Sequence, residues 1–228
     1  MDIIRDFFHI IFPKSCLICK REVELDEQLL CFHCLSDLPL TNFSDHTENR
    51  LENSFRGRIP VSSATSLVYF HKKGPVQRLM HQLKYHHKQE IGSFFGNWLG
   101  EEMLRSRRFA QIDIILPVPL HPDKQKKRGY NQVTTFAEQL AIKLQTELRC
   151  DLLIKTSASK TQTRKNREER TLDKGNEFKL LEIDFLEDKH LLLVDDIITS
   201  GATLEACWLQ LRKVKGMSIS LASMAFTV

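Results

Sequence analysis

LLLVDDIITSGAT, running from Leu191 to Thr203, decides the fold of this chain. Its four leading apolar residues, Leu191 to Val194, have the length and composition of a strand buried on both faces. Such strands belong to parallel sheets covered by helices. The strand delivers two adjacent carboxylates, Asp195 and Asp196. The loop Thr199, Ser200, Gly201, Ala202 and Thr203 then presents hydroxyls and backbone N–H groups where a helix, Ala202 to Val214, begins. In open α/β sheets, ligands settle outside the carboxyl ends of the strands, and a helix N-terminus favours a phosphate. Gly201 allows close backbone approach. Paired acids repel phosphate, but they accept hydrogen bonds from sugar hydroxyls and ligate Mg²⁺ directly or through water. A bare acidic pair after a strand can instead be structural, with one acid capping the next helix. The apolar run, the paired acids and the Thr/Ser-Gly-x-Thr loop together favour a sugar-phosphate site.

Working outward, Ser63 to Phe70 reads as a strand, and Val76 to Tyr85 and Ile91 to Leu104 read as helices. Ile112 to Leu116 is a short buried strand stopped by Pro117. From Asn131 onward, Val133, Phe136, Ala137, Leu140, Leu144 and Leu148 form one helical stripe. Leu152 to Ile154 and Ser218 to Phe226 are further strands. This alternation predicts an α/β domain with a largely parallel sheet flanked by helices. The polar stretch Thr41 to Arg58 reads as a linker. It divides the chain into an N-terminal part, residues 1–57, and a larger domain, residues 58–228.

The 228 residues are 42% hydrophobic and 27% charged, an ordinary globular composition. A formal charge of +4 suits an anionic ligand or a nucleic acid without choosing between them. No apolar run approaches the roughly 20 residues that span a bilayer. The N-terminal apolar stretch Ile3 to Phe12 is interrupted by Arg5, Asp6 and His9 and lacks a small-residue cleavage site, so it reads as a docking helix rather than a signal peptide. A cytoplasmic location is expected, where thiols stay reduced.

Cys16-x2-Cys19 and Cys31-x2-Cys34 form two knuckles separated by eleven residues. Two such turns complete a closed, tetrahedral, structural Zn²⁺ site with no open position for catalysis. The surrounding segment has too few apolar residues to fold alone, so the metal would supply much of its stability. Disulfides are the alternative, and His33 could replace one thiol. Cys150 and Cys207 sit in apolar patterns and read as ordinary buried residues.

Pro117-Val118-Pro119-Leu120-His121 follows a strand and precedes a helix, which puts it on the same sheet edge as the acids. Lys124, Lys126, Lys127 and Arg128 then crowd together. Charge runs are commonly solvated faces; position beside an anion site gives this one meaning. The segment Thr161 to Arg170, with Arg164, Lys165, Arg167 and Arg170, reads either as an exposed loop or as a lid.

The segment opened with matches the motif that binds 5-phosphoribosyl-1-pyrophosphate (PRPP) in type I phosphoribosyltransferases, and the chain resembles the ComF family (ComFC and GntX proteins). Three further segments carry that resemblance: LKYHHKQEIG from Leu83, LPVPLHPDKQKKRGYNQ from Leu116, and KTQTRKNREERTLDKGNEF from Lys160. Ser200 stands where Thr is usual and Tyr130 where Phe is common; Ser keeps the hydroxyl. The resemblance implies Mg²⁺-dependent handling of PRPP, with Asp195 and Asp196 on the ribose and metal. It gives Thr199 to Thr203 the 5-phosphate, and Pro117, Val118, Pro119, Arg128 and Arg167 the pyrophosphate side. Lys84 and Tyr85 admit either packing or ligand contact. ComF proteins are associated with natural transformation, which implies single-stranded DNA or a competence-machinery protein as partner. The acceptor is unidentified, no residue stands out as a general base, and a non-catalytic PRPP sensor would use the same site.

Overall fold

The computed structural model describes residues 14–23, 28–156 and 177–227. The predicted N-terminal helix Ile3 to Phe12 and the segment Thr161 to Arg170 lie outside them. Five parallel strands form the main sheet, in the order β1-β7-β6-β2-β3. They are β1 (Val61–Phe70), β2 (Ile114–Pro117), β3 (Glu147–Leu148), β6 (His190–Ile198) and β7 (Ser218–Thr227). A separate antiparallel pair, β4 (Leu153–Lys155) and β5 (Phe178–Leu180), flanks the sheet. The strand expected at Leu152 to Ile154 therefore exists, but it belongs to this ribbon.

Alternation along the strands builds two cores. Leu192 and Val194 of β6 face one side, with Ile115, Ala222 and Met224. Leu191 and Leu193 face the other, with Ile114, Leu116 and Leu221. The first core is covered by α3 (Pro75–Tyr85), α4 (Glu90–Ser106) and α6 (Thr134–Leu144), the second by α2 (Arg50–Phe55) and α7 (Ala202–Leu211). Of two further short helices, α1 (Phe32–Ser36) packs on the first core through Cys34 and Leu35, and α5 (Pro122–Arg128) buries no residue. With both faces covered, a strand must be apolar throughout, which is why LLLV carries no alternation.

The helical stripe from Val133 ends earlier than its spacing suggested. Gln145 takes a left-handed conformation after α6, and Leu148 lies in β3. On α4, Gly92, Gly96 and Gly100 face α6. A Cβ at Gly96 would lie 2.5 Å from the Phe136 carbonyl oxygen, and one at Gly100 would lie 2.8 Å from Lys143 Cβ. The bare backbone is what lets the two helices approach so closely.

The stretch Thr41 to Arg58, expected as a linker, is instead ordered and packed on the second core. Phe43, Leu51, Phe55 and Ile59 are buried there. Asn49 caps α2 by accepting the Glu52 N–H at 3.0 Å, and its Nδ2 donates to the carbonyls of Phe43, His46 and Ala64. Arg108 donates to the carbonyls of Phe43, Ser44 and His46 and pairs with Glu52. Few apolar residues suffice because Leu51 and Phe55 lie four apart on one face of α2, and Ile59, beyond the helix end, folds back onto the same core.

Candidate functional site

The crossovers from β2 and β6 leave in opposite directions, β2 toward β3 and β6 toward β7. Their carboxyl ends therefore open a crevice at a topological switch point. Pro117 pairs with Val194 in register, and the Val118 N–H donates to the Val194 carbonyl at 2.8 Å. The Pro117-Val118-Pro119 turn thus sits against the base of the acid pair. Val118 is buried, and Asn131 Nδ2 donates to its carbonyl at 3.0 Å, which fixes the turn.

Asp195 and Asp196 point to opposite sides of β6, as neighbours on a strand must. Asp195 is partly exposed in the carboxyl-terminal half of β6 and accepts the Asp196 N–H at 2.8 Å. Burial, with the Asp196 charge beside it, pushes the Asp195 carboxyl up from 3.8 to about 8, although the Asp196 N–H, Lys84 and Lys155 act in the other direction. Asp196 is buried. Its Oδ2 is 2.8 Å from Lys84 Nζ and accepts Gln132 Nε2 at 2.9 Å. Gln132 Oε1 in turn accepts Arg128 Nη1 at 2.8 Å. One hydrogen-bonded chain thereby ties the acids to the basic helix α5. Sequence inspection gave no reason to choose between packing and ligand contact for Lys84; Lys84 meets Asp196.

The loop after β6 is held from below. Gly201 has φ +76°, and a Cβ there would lie 2.5 Å from the Phe55 ring. Arg58 Nη2 donates to the Ser200 carbonyl at 2.7 Å, and Arg58 pairs with Glu205. Phe55 and Arg58 are contacts that sequence reading missed. Thr199, Ser200 and Thr203 are exposed above this platform, and Ala202 starts α7. Hydroxyls and a helix N-terminus on a braced, left-handed turn suit a phosphate.

On the other side of the acids, α5 buries none of its residues, and Lys124, Lys126 and Lys127 are exposed on it. Lys84, Tyr85, His87, Lys124, Lys127 and Arg128 line a cleft of about 320 Å³. Arg128 stacks 5.3 Å from the centre of the Tyr85 ring, and Tyr85 is 58% exposed. Arg167 lies outside the described residues.

The Cys16, Cys19, Cys31 and Cys34 sulfurs all lie within 4.8 Å of one another, with Cys19 and Cys31 3.6 Å apart. Zn–S bonds of about 2.3 Å put tetrahedral thiolates about 3.8 Å apart, so the four donors fit one zinc ion. Burial opposes ionisation of Cys16, yet N–H groups of Cys19, Cys31 and Ile18 draw its thiol down to about 6. Burial and the neighbouring thiols push Cys34 up. His33 stands apart from this cluster, near Asp37 at 3.5 Å. The module docks on α3, where Gln82 Nε2 donates to the Leu17 carbonyl at 2.7 Å and Arg78 to that of Ile18 at 3.3 Å. Cys207 is buried as expected, whereas Cys150 is exposed, because it falls in the turn between β3 and β4. Among the described residues no helix is long and apolar enough to cross a membrane.

The phosphoribosyl transferase domain model matches residues 133–226, a span that holds the acid pair and the glycine loop. The chain carries a phosphoribosyltransferase domain. It is 28% identical over 192 residues to the DNA utilization protein YhgH of Escherichia coli (strain K12), covering 83% of this chain and 80% of that protein. It is 25% identical over 214 residues to Competence protein F of Haemophilus influenzae, covering 92% and 89%. It is 32% identical over 111 residues to Competence protein ComFC of Streptococcus pneumoniae, covering 48% and 44%. The chain is thus similar, over most of its length, to proteins named for DNA utilization and competence, and it adds a four-cysteine cluster to the phosphoribosyl transferase match. Among solved structures, a hypoxanthine phosphoribosyltransferase from Staphylococcus aureus aligns with a TM-score of 0.37 at 17% identity, covering 60% of this chain and 63% of that one. An adenine phosphoribosyl transferase from Trypanosoma brucei aligns at 0.38 and 11%, covering 79% and 81%. At such scores the fold assignment rests on the sheet topology and the domain match.

Proposed function

We propose that this chain binds PRPP across the carboxyl ends of β2 and β6 and transfers its phosphoribosyl group, with Mg²⁺ and release of pyrophosphate, to an acceptor not yet identified. The observation that carries this is the joining of an acid pair to a braced, left-handed phosphate turn on one sheet edge, with a cationic cleft on the opposite flank. In this reading Thr199, Ser200, Gly201, Ala202 and Thr203 hold the 5-phosphate, and Asp195 and Asp196 hold the ribose hydroxyls. Pro117, Val118, Pro119 and Arg128 take the pyrophosphate, joined by Arg167 from the segment read as a lid. Carboxylates are hard oxygen donors of the kind Mg²⁺ accepts; Asp195, partly exposed, is the acid open to such an ion, which would neutralise the pyrophosphate charge. The bond from the anomeric carbon to pyrophosphate breaks, and pyrophosphate leaves with the electron pair. A nucleophile then bonds to that carbon and gives up its proton. Catalysis on such an oxocarbenium-like path consists mainly of positioning and charge stabilisation.

The cysteine module is proposed to be a structural zinc unit within residues 1–57, docked on the domain that follows. About one zinc per purified chain is expected by elemental analysis; a metal-free, well-folded preparation would remove this assignment.

A second reading makes the chain a PRPP-responsive, non-catalytic protein that meets single-stranded DNA or a competence-machinery partner in the cytoplasm. Phe32, 85% exposed beside Cys31, favours it, since an unburied aromatic on a zinc knuckle suits a base or a partner surface. The relatives' names, DNA utilization and competence, point to the same setting. Assay of pyrophosphate release from PRPP across a panel of bases and amines separates the two. Turnover with any acceptor supports transfer; steady binding without turnover across the panel supports the second reading.

A further inference from the structure

Lys84 is shared between the two halves of the site. It stands near the end of α3, where the Tyr130 hydroxyl donates to the neighbouring Leu83 carbonyl and so fixes the turn that carries it. Its Nζ is 2.8 Å from Asp196 Oδ2, with only 22% of the Lys84 side chain and 9% of the Asp196 side chain exposed. The same lysine lines the cleft with Lys124, Lys127 and Arg128, whose charges are all positive. Asp196 is therefore satisfied from within the protein by Lys84 and Gln132. The cleft meanwhile lends out one of its cations.

A sugar hydroxyl that reaches Asp196 must compete with that ammonium, and an anion that seeks Lys84 must draw it off the carboxylate. Opening a largely buried ion pair is costly. A lysine ammonium is a compact charge on a flexible stem and can turn from one partner to the other. We propose that Lys84 is a positioning residue that couples the ribose subsite to the pyrophosphate subsite: occupation of Asp196 by ribose hydroxyls frees Lys84 to pair with pyrophosphate in the cleft. The proposal rests on the assignment of those subsites made above. Because the pair needs to open once for both ligands, each ligand strengthens the other, and by linkage the coupling is reciprocal.

The test is calorimetric titration of pyrophosphate into the full chain at fixed Mg²⁺, with and without saturating ribose 5-phosphate. Ribose 5-phosphate should tighten pyrophosphate binding on the order of tenfold in the wild type, a common size for coupling between sites. In Lys84→Met each ligand should still bind alone, with the coupling reduced to about onefold. Lys84→Arg keeps a cation and should recover most of it. Equal coupling in wild type and Lys84→Met overturns the proposal. So does independent binding of both ligands to the wild type, which needs no variant to fold. If the wild type binds neither ligand, the PRPP assignment itself falls, and this proposal with it.

Discussion

The two ends of the sheet-edge site are built on different principles. The proposed phosphate end is set by packing: Gly201 rests on the buried Phe55 ring, and Arg58 clamps the Ser200 carbonyl. The acid end is set by charge: Asp196 is held by Lys84 and Gln132, and Asp195 is pushed toward its neutral form by burial and by Asp196. A packed turn offers its ligand the same geometry with or without phosphate. On the proposal made for Lys84, a charge-held acid changes partners when a ligand or cation arrives. In that reading the site combines a fixed anchor with an adjustable grip, and substitutions at the two ends should fail in different ways.

Phe55→Ala gives the largest expected effect. Removing a fully buried ring from beneath the loop should cost about 3–5 kcal/mol of stability, read by urea denaturation. It should weaken ribose 5-phosphate binding while leaving Asp196 paired. Gly201→Val comes next: overpacking against Phe55 and a branched residue at φ +76° should cost about 1–3 kcal/mol and abolish binding of ribose 5-phosphate. A variant of wild-type stability and affinity would show that the turn is not packed as described. Arg58→Ala should cost about 1 kcal/mol, since its pair with Glu205 is partly exposed and screened. The same variant separates loop stiffness from ligand affinity.

At the acid end the expected signature is a pH dependence. An acid whose folded pKa lies above its unfolded value holds a proton more readily in the native state, so stability falls as pH rises through that window. For Asp195 the window runs from 3.8 to about 8. Asp195→Asn should flatten the fall in melting temperature across it and melt higher than wild type on the alkaline side. Superimposable profiles for the two proteins would mean that Asp195 is not held as described.

How much of this was legible in the sequence follows the same division. LLLVDDIITSGAT could be read because a doubly buried strand, paired acids and a glycine turn are all local signals. The CxxC pairs were legible for the same reason. The bracing of the loop was not, because Phe55 and Arg58 lie in a polar stretch whose apolar positions are sparse. Asn49 followed by Glu52, with Leu51 and Phe55 four residues apart, was the available signal for α2. The ion pair of Lys84 with Asp196 joins distant parts of the chain, and no local pattern encodes which cation meets which acid. The strands β3 and β5, two and three residues long, are too short to show a period. Cys150 misled because an apolar neighbourhood in sequence became a turn in space.

The most direct measurement is the melting temperature of the full chain with and without PRPP and Mg²⁺, for wild type and for Asp195→Asn combined with Asp196→Asn. A ligand that binds only the native state stabilises it by mass action, by about 2.7 kcal/mol at a hundred times its dissociation constant. The account requires a clear upward shift in the wild type and none in a double variant that remains folded. An equal shift in both proteins would contradict it, because PRPP would then be bound without the acids at the end of β6.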